Sequence, residues 1–298
     1  MSRPGSLDRE TFAKIRRIQI RTRVILESGI GGAYHAVFKG RGMEFSEVRE
    51  YQWGDDVRTL DWNVTSRMGH PYVKKHVEER ELTVLLLVDV SASGDFGTKR
   101  QFKREIQAEI CALLAFSAIQ NSDRVGFMAF TDRIETFLRP RKGKDHVLRV
   151  IREVLYFTPQ GRTTDLKMAL EHLNRTITKR GVVFIISDFL ASDFERPLRV
   201  AARKHDVVAI TITDPREEEL PPVGLLELED AETGARVLVD SRDKSTRLAF
   251  GRWAAERRQA RGSLFRSIGI DTLDLRTDRP YDLPLVRFFH RRARRLSR

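Results

Sequence analysis

An aspartate and two serines stand on alternate positions just beyond an apolar run, in Leu85-Leu86-Leu87-Val88-Asp89-Val90-Ser91-Ala92-Ser93-Gly94. Apolar packing does not ask for a carboxylate and two hydroxyls at the mouth of a buried strand. In a parallel α/β sheet that mouth is the carboxyl end, where ligands bind. Three hard oxygen donors there suit a small divalent cation, Mg²⁺ (or Mn²⁺), which takes near-octahedral oxygen coordination at roughly 2.0–2.1 Å and keeps several waters. Two more stretches bring oxygen donors to strand ends: the loop Gly161-Arg162-Thr163-Thr164-Asp165, and Ser187-Asp188, in which the strand 182–187 ends. Ser91 and Ser93 are expected to bind directly, and Thr164 directly or through water. Asp89 and Asp188 are expected to supply charge through bound waters and hydrogen bonds to the serines. Such a shell leaves one position open for an acidic residue of a partner. The plainer alternative is an Asp/Ser turn that caps the following helix.

These residues need a sheet to position them. The run 82–88 is almost continuously apolar, as expected of a strand covered on both faces. Strands are expected at 125–130, 134–138, 182–187, 207–213 and 270–275, and helices at 99–119, 144–157, 166–178, 193–204, 244–268 and 283–296. Segments 224–228 and 236–240 flank Thr233-Gly234 as a β-hairpin, after an acidic, proline-bearing loop at 214–222. The alternation implies an α/β fold, a mainly parallel sheet with helices on both faces. Ahead of it, 7–28 reads as an amphipathic helix carrying Leu7, Ile15, Ile18, Val24 and Ile25, ended by Ser28-Gly29-Ile30-Gly31-Gly32. Residues 33–80 read as irregular, with short strands and turns punctuated by Gly40, Gly42, Gly54 and Gly69. Three parts follow: an N-terminal helix at 1–32, a β-rich segment at 33–80 and the α/β domain at 81–298.

Asp89-x-Ser91-x-Ser93, the threonine of Thr164-Asp165-Leu166-Lys167-Met168-Ala169-Leu170, and Asp188 resemble the metal-ion-dependent adhesion motif of von Willebrand factor A domains. The register of that motif selects Thr164, with Thr163 in reserve. The segment Arg41-Gly42-Met43-Glu44-Phe45, then Arg49-Glu50-Tyr51-Gln52-Trp53-Gly54-Asp55-Asp56-Val57-Arg58-Thr59-Leu60-Asp61-Trp62, with Arg67 and Val73-Lys74, resembles the signature of the bacterial Domain-of-Unknown-Function 58 family. The stretch from Asp271 to Phe289 also resembles its members. The resemblance implies a von Willebrand A-like domain coupled to the preceding segment. Many members carry two N-terminal membrane helices; this chain looks like the soluble subgroup. The resemblance further implies a partnership with a MoxR-type AAA+ ATPase, in the maturation or assembly of other proteins. Within 41–74, Arg58 and Asp61 are expected to pair over a packed Trp62. Asp55, Asp56 and Asp61 follow no metal-ligand spacing.

Composition bounds the alternatives. The 298 residues are 41% hydrophobic and 32% charged, which suits a globular protein. No apolar stretch approaches the 18 or so residues of a membrane span, and Met1-Ser2-Arg3-Pro4-Gly5 lacks a secretory core. A lone cysteine, Cys111, sits among apolar helix residues as a core position. A cytoplasmic protein is expected. The net charge of +12 gathers at Lys14, Arg16, Arg17, Arg21 and Arg23, and at Arg291, Arg292, Arg294, Arg295 and Arg298. These ends read as solvated helix surface, or as a nonspecific attraction for nucleic acid or anionic membrane. No aromatic residues interleave them as a stacking platform. There is no phosphate-binding G-x-x-x-x-G-K-[ST] and no H-E-x-x-H, and the seven histidines are scattered. Ser91 lacks a nearby base and the G-x-S-x-G of a nucleophile elbow. No catalytic residue is assigned, and the chain is expected not to be an enzyme. A metal-dependent hydrolase or nuclease is the rival, but such enzymes favour carboxylate-rich paired metals over hydroxyls.

Overall fold

Strand β3, Thr83–Asp89, organises the molecule because every residue after its first is buried. The computed structural model describes residues 47–57, 60–75, 81–97 and 101–296, with Gly32, Tyr34 and Val37 as isolated positions. The expected helix at 7–28 lies outside the described residues. Alternation along β3 sends Val84, Leu86 and Val88 into one core and Leu85 and Leu87 into the other. A strand with two cores has no solvent face, so its sequence reads as unbroken hydrophobicity.

The sheet contains β3, β4 (Arg124–Phe130), β5 (Ile134–Arg141), β6 (Val182–Ile186), β7 (Asp206–Thr213) and β10 (Asp271–Arg276). Their spatial order is β10-β7-β6-β3-β4-β5. All neighbours are parallel except β4 and β5. Numbered by appearance within the sheet, this is the doubly wound order 3-2-1-4-5-6. Chain direction across the sheet reverses between β3 and β6, and the crevice outside the strand ends there is the expected ligand position.

Helices cover both faces. Residues of α2 (Lys103–Gln120), α3 (Lys144–Tyr156) and α7 (Asp282–Leu296) line one core, among them Ile106, Leu113, Ile151, Leu285 and Phe289. Residues of α4 (Leu166–Thr176), α5 (Glu195–Lys204) and α6 (Lys244–Ile268) line the other, among them Leu170, Leu198 and Phe265. Cys111 is fully buried in the first core, as expected, and burial pushes its thiol far above the ordinary range. Among the described residues, no helix is long and apolar enough to cross a membrane.

Between β7 and β10 the chain leaves the sheet to form the hairpin of β8 (Leu225–Glu229) and β9 (Arg236–Asp240), then α6. Ser241 pins the hairpin base: its hydroxyl donates to the Gly224 carbonyl at 2.7 Å and accepts from the Val223 and Gly224 amides, each at 3.1 Å.

The segment ahead of the sheet pairs β1 (Glu47–Glu50) with β2 (Tyr72–Lys75) antiparallel, and between them lies helix α1, Trp62–Met68. That helix was not expected. It buries none of its residues, so it carries no apolar period; its ends define it. Asp61 accepts from the Asn63 and Val64 amides at 3.0 and 3.3 Å, and Gly69 closes it in the left-handed region at φ 75°. The expected packed Trp62 is instead 71% exposed. Asp55 pairs with Arg49 at 2.7 Å and accepts from the Gln52 amide. The expected pairing of Arg58 lies outside the described residues.

The C-terminal basic cluster is partly structural. Arg292 is buried and pairs with Asp206 and Asp271, and Arg295 reaches Asp271 at 2.7 Å.

His205, which ends α5, is buried, and burial followed by the charges of Lys204 and Arg180 pushes its pKa down to about 4. The unfolded imidazole takes a proton near pH 6.5 while the folded one resists until about 4, so stability falls as pH drops through that window. Urea unfolding at pH 7 and pH 4.5 should show the parent losing about 2 kcal/mol more than a His205→Gln variant. Equal losses would contradict this assignment.

Candidate functional site at the sheet switch point

Asp89 ends β3 with its carboxylate buried. One oxygen accepts the Ser91 amide at 3.0 Å; the other accepts the Ser187 hydroxyl, just past β6, at 2.8 Å. One carboxylate therefore spans the switch point. The Ser187 hydroxyl also accepts the Phe189 amide at 3.0 Å, and Phe189 takes a left-handed φ of 56°, which turns the chain sharply after β6. From α2, the Gln107 side-chain amide (Nε2) donates to the Asp89 carbonyl at 3.1 Å.

Ser91 and Ser93 face each other, hydroxyl to hydroxyl, at 3.1 Å. Adjacent oxygens of an octahedron with bonds of roughly 2.0–2.1 Å lie about 3 Å apart, so the two hydroxyls already span one edge of such a shell. The loop before α4 is stitched to this turn by the Ala92 amide, which donates to the Arg162 carbonyl at 3.0 Å. Gly161 lets the same loop lie against the turn between β4 and β5. A Cβ there would fall 2.2 Å from both Asp132 Oδ1 and Thr131 Oγ1, and the Gly161 amide donates to Glu135 at 2.7 Å. Asp165 then caps α4 by accepting the Met168 amide at 2.8 Å.

The remaining two expected ligands make other contacts. Thr164 hydrogen bonds to Glu232, in the turn of the β8–β9 hairpin, rather than to either serine: its hydroxyl donates at 2.6 Å and its amide at 3.3 Å. Thr163 takes part in none of these contacts. Asp188 accepts the Leu190 amide at 3.1 Å through one oxygen; the other, buried and without a hydrogen-bond partner among the described residues, lies 3.6 Å from the Lys103 ammonium. Lys103, itself buried, also pairs with Glu217, and Arg261 of α6 donates to the Asp188 carbonyl at 3.0 Å.

The site is short of positive charge. Burial, then the nearby Asp188, pushes Asp89 up to about 7, against the hydrogen bonds from Ser91 and Ser187. Glu217 is also raised, by burial first, with Lys103 acting against it. A carboxylate pair in low dielectric disfavours double ionisation unless a cation is shared. The donor set, two hydroxyls on an octahedral edge beside the buried Asp89, fits a small hard cation. Among the described residues, no group of three or more His, Cys, Asp or Glu side chains could hold a metal by itself. The carboxylate-rich layout of two-metal catalysis has no counterpart there.

Lys103, Glu217 and Glu232 went unnoticed in the sequence. Lys103 and Glu217 meet across 114 positions, and Thr164 and Glu232 across 68. No local pattern reports such contacts. The turn around Glu232, with Thr233-Gly234, was visible only as a turn.

The chain belongs to the family described as Protein of unknown function DUF58, which matches residues 47–260. An uncharacterized protein of Mycobacterium tuberculosis is 37% identical over 290 residues, 96% of this chain and 91% of the relative. Among solved structures, conserved hypothetical protein BatB from Bacteroides thetaiotaomicron is similar at TM-score 0.44 and 13% identity, over 72% of this chain and 99% of that one. A von Willebrand factor type A structure from Catenulispora acidiphila is similar at TM-score 0.35 and 12% identity, over 48% and 34%. The fold is of the α/β type, with its sheet in the doubly wound order given above.

Ser187→Ala removes the hydroxyl that joins the two central strand ends. At pH 8, where Asp89 is ionised, urea unfolding should show a loss of about 1–3 kcal/mol. A loss under about 0.5 kcal/mol would mean that the Asp89–Ser187 bond does not hold the switch point together.

Proposed function

We propose that this protein is a metal-dependent protein-interaction factor with Asp89, Ser91, Ser93, Thr164 and Asp188 around one Mg²⁺ or Mn²⁺. An interaction role is what a von Willebrand A-like member of this family suggests. The observation that carries the metal reading is the 3.1 Å hydroxyl edge of Ser91 and Ser93, set beside the buried Asp89 at the switch point. In this reading Ser91 and Ser93 ligate directly. Asp89 orients the turn through the Ser91 amide and supplies charge, Asp188 supplies charge from the β6 end, and Thr164 closes the far side. The bound cation would offer one free position to a carboxylate of the partner. No side chain in the site is assigned a proton transfer or a nucleophilic step, so the proposed role is recognition and not turnover.

The partner is proposed from the family resemblance: a MoxR-type AAA+ ATPase in the cytoplasm, acting with this chain on the maturation or assembly of other proteins. The basic ends are a weaker alternative, since Arg292 and Arg295 already answer Asp206 and Asp271.

Calorimetric titration with Mn²⁺ tests the site. One bound ion is expected in the parent, with affinity at least tenfold lower in Asp89→Ala and in Ser93→Ala. Ser93 is only partly buried, so its variant keeps the test valid if Asp89→Ala fails to fold. Equal affinity in the parent and Ser93→Ala would overturn the reading. Retention of an AAA+ ATPase from native extract with Mg²⁺, and its release by chelator, would support the partner; retention indifferent to chelator would contradict its metal dependence.

A further inference from the structure

The hairpin of β8 and β9 gains little from packing. Leu225, Val237 and Leu238 are exposed, at 70%, 59% and 68%. A two-stranded hairpin alone is marginal in water. Cross-strand pairs of Arg236 with Glu227 and Glu229 lie on its surface and contribute little. Its base is held by Ser241, and its tip is held by Glu232 at Thr164.

The tip is built to present that carboxylate. Asp230 accepts the Glu232 and Thr233 amides at 2.9 and 3.0 Å, and Gly234 supplies the left-handed φ of 73° that closes the turn. Glu232 is half-buried while the residues after it are exposed. Its two oxygens take the Thr164 hydroxyl and amide, one each. No cationic side chain pairs with it among the described residues, so its charge is met there only by two uncharged donors. A threonine hydroxyl that gives its proton to a carboxylate keeps its lone pairs free for a cation.

We infer that Glu232 is the resident acid of the site: the hairpin holds, within this chain, the position that a partner's carboxylate takes, and the partner must displace it. This rests on the metal reading proposed above. The partner would carry an acidic residue on a turn, the form in which this chain presents its own. Among the described residues, the hydrogen bonds that fasten the hairpin lie at its base and tip, so it can swing away without breaking the ladder of the sheet.

Hydrogen exchange of residues 225–240, with and without saturating Mn²⁺, tests the inference in the parent and in Glu232→Gln, with ion uptake by each protein followed calorimetrically. The amides of the parent hairpin are expected to exchange at least tenfold more slowly with Mn²⁺ bound, and those of Glu232→Gln to be indifferent to the ion. The glutamine variant keeps the turn, since Asp230 and Gly234 are untouched. Mn²⁺ uptake by the parent with unchanged hairpin exchange would overturn this inference and leave the metal site standing. Absence of Mn²⁺ uptake by both proteins would overturn the metal reading and this inference with it.

Discussion

The two oxygens of Asp89 are divided between the turn that follows β3 and the serine that follows β6. Those strands are the pair at which the sheet reverses its winding, so their ends diverge into separate connections and leave a crevice. A carboxylate buried there is costly unless hydrogen bonded. The bonds it makes fix the two ends that would otherwise part. Ser91, Ser93 and Asp188 take their places from this arrangement, and the Ala92–Arg162 bond brings the Thr164 loop to the same edge. The rest of the fold is scaffolding for that bond.

Charge supplies the second constraint. Asp188 and Glu217 share the buried Lys103 ammonium, while Asp89 has hydrogen bonds but no ion pair among the described residues. Burial first, and then the neighbouring charge of Asp188, pushes Asp89 up to about 7. A divalent ion at the mouth would relieve that deficit, and hydroxyl ligands would keep it exchangeable toward a visiting acid. A wholly carboxylate shell would hold the ion more tightly and offer a partner less.

The central sheet was legible because its strands are buried on two faces: the apolar runs at 82–88 and 182–187 correspond to Thr83–Asp89 and Val182–Ile186. The long helix expected at 244–268 is Lys244–Ile268, and the structure caps it with Asp243 at its start and Gly269 at its finish. Helix α1 was not legible, since a helix that buries nothing leaves no period and only its caps reveal it. Within the site, the Asp89-x-Ser91-x-Ser93 turn was legible because its donors are adjacent in the chain. The links to Lys103, Glu217 and Glu232 were not, because each depends on where a distant loop arrives. The hairpin was visible as a hairpin, but nothing in its alternation told where its tip would rest.

The most direct measurement is anomalous diffraction from crystals grown with Mn²⁺. A single strong peak is expected within about 2.3 Å of the hydroxyls of Ser91 and Ser93, on the side facing Thr164 and Asp188. A peak elsewhere on the protein, with the Ser91–Ser93 edge bare at saturating Mn²⁺, would contradict it.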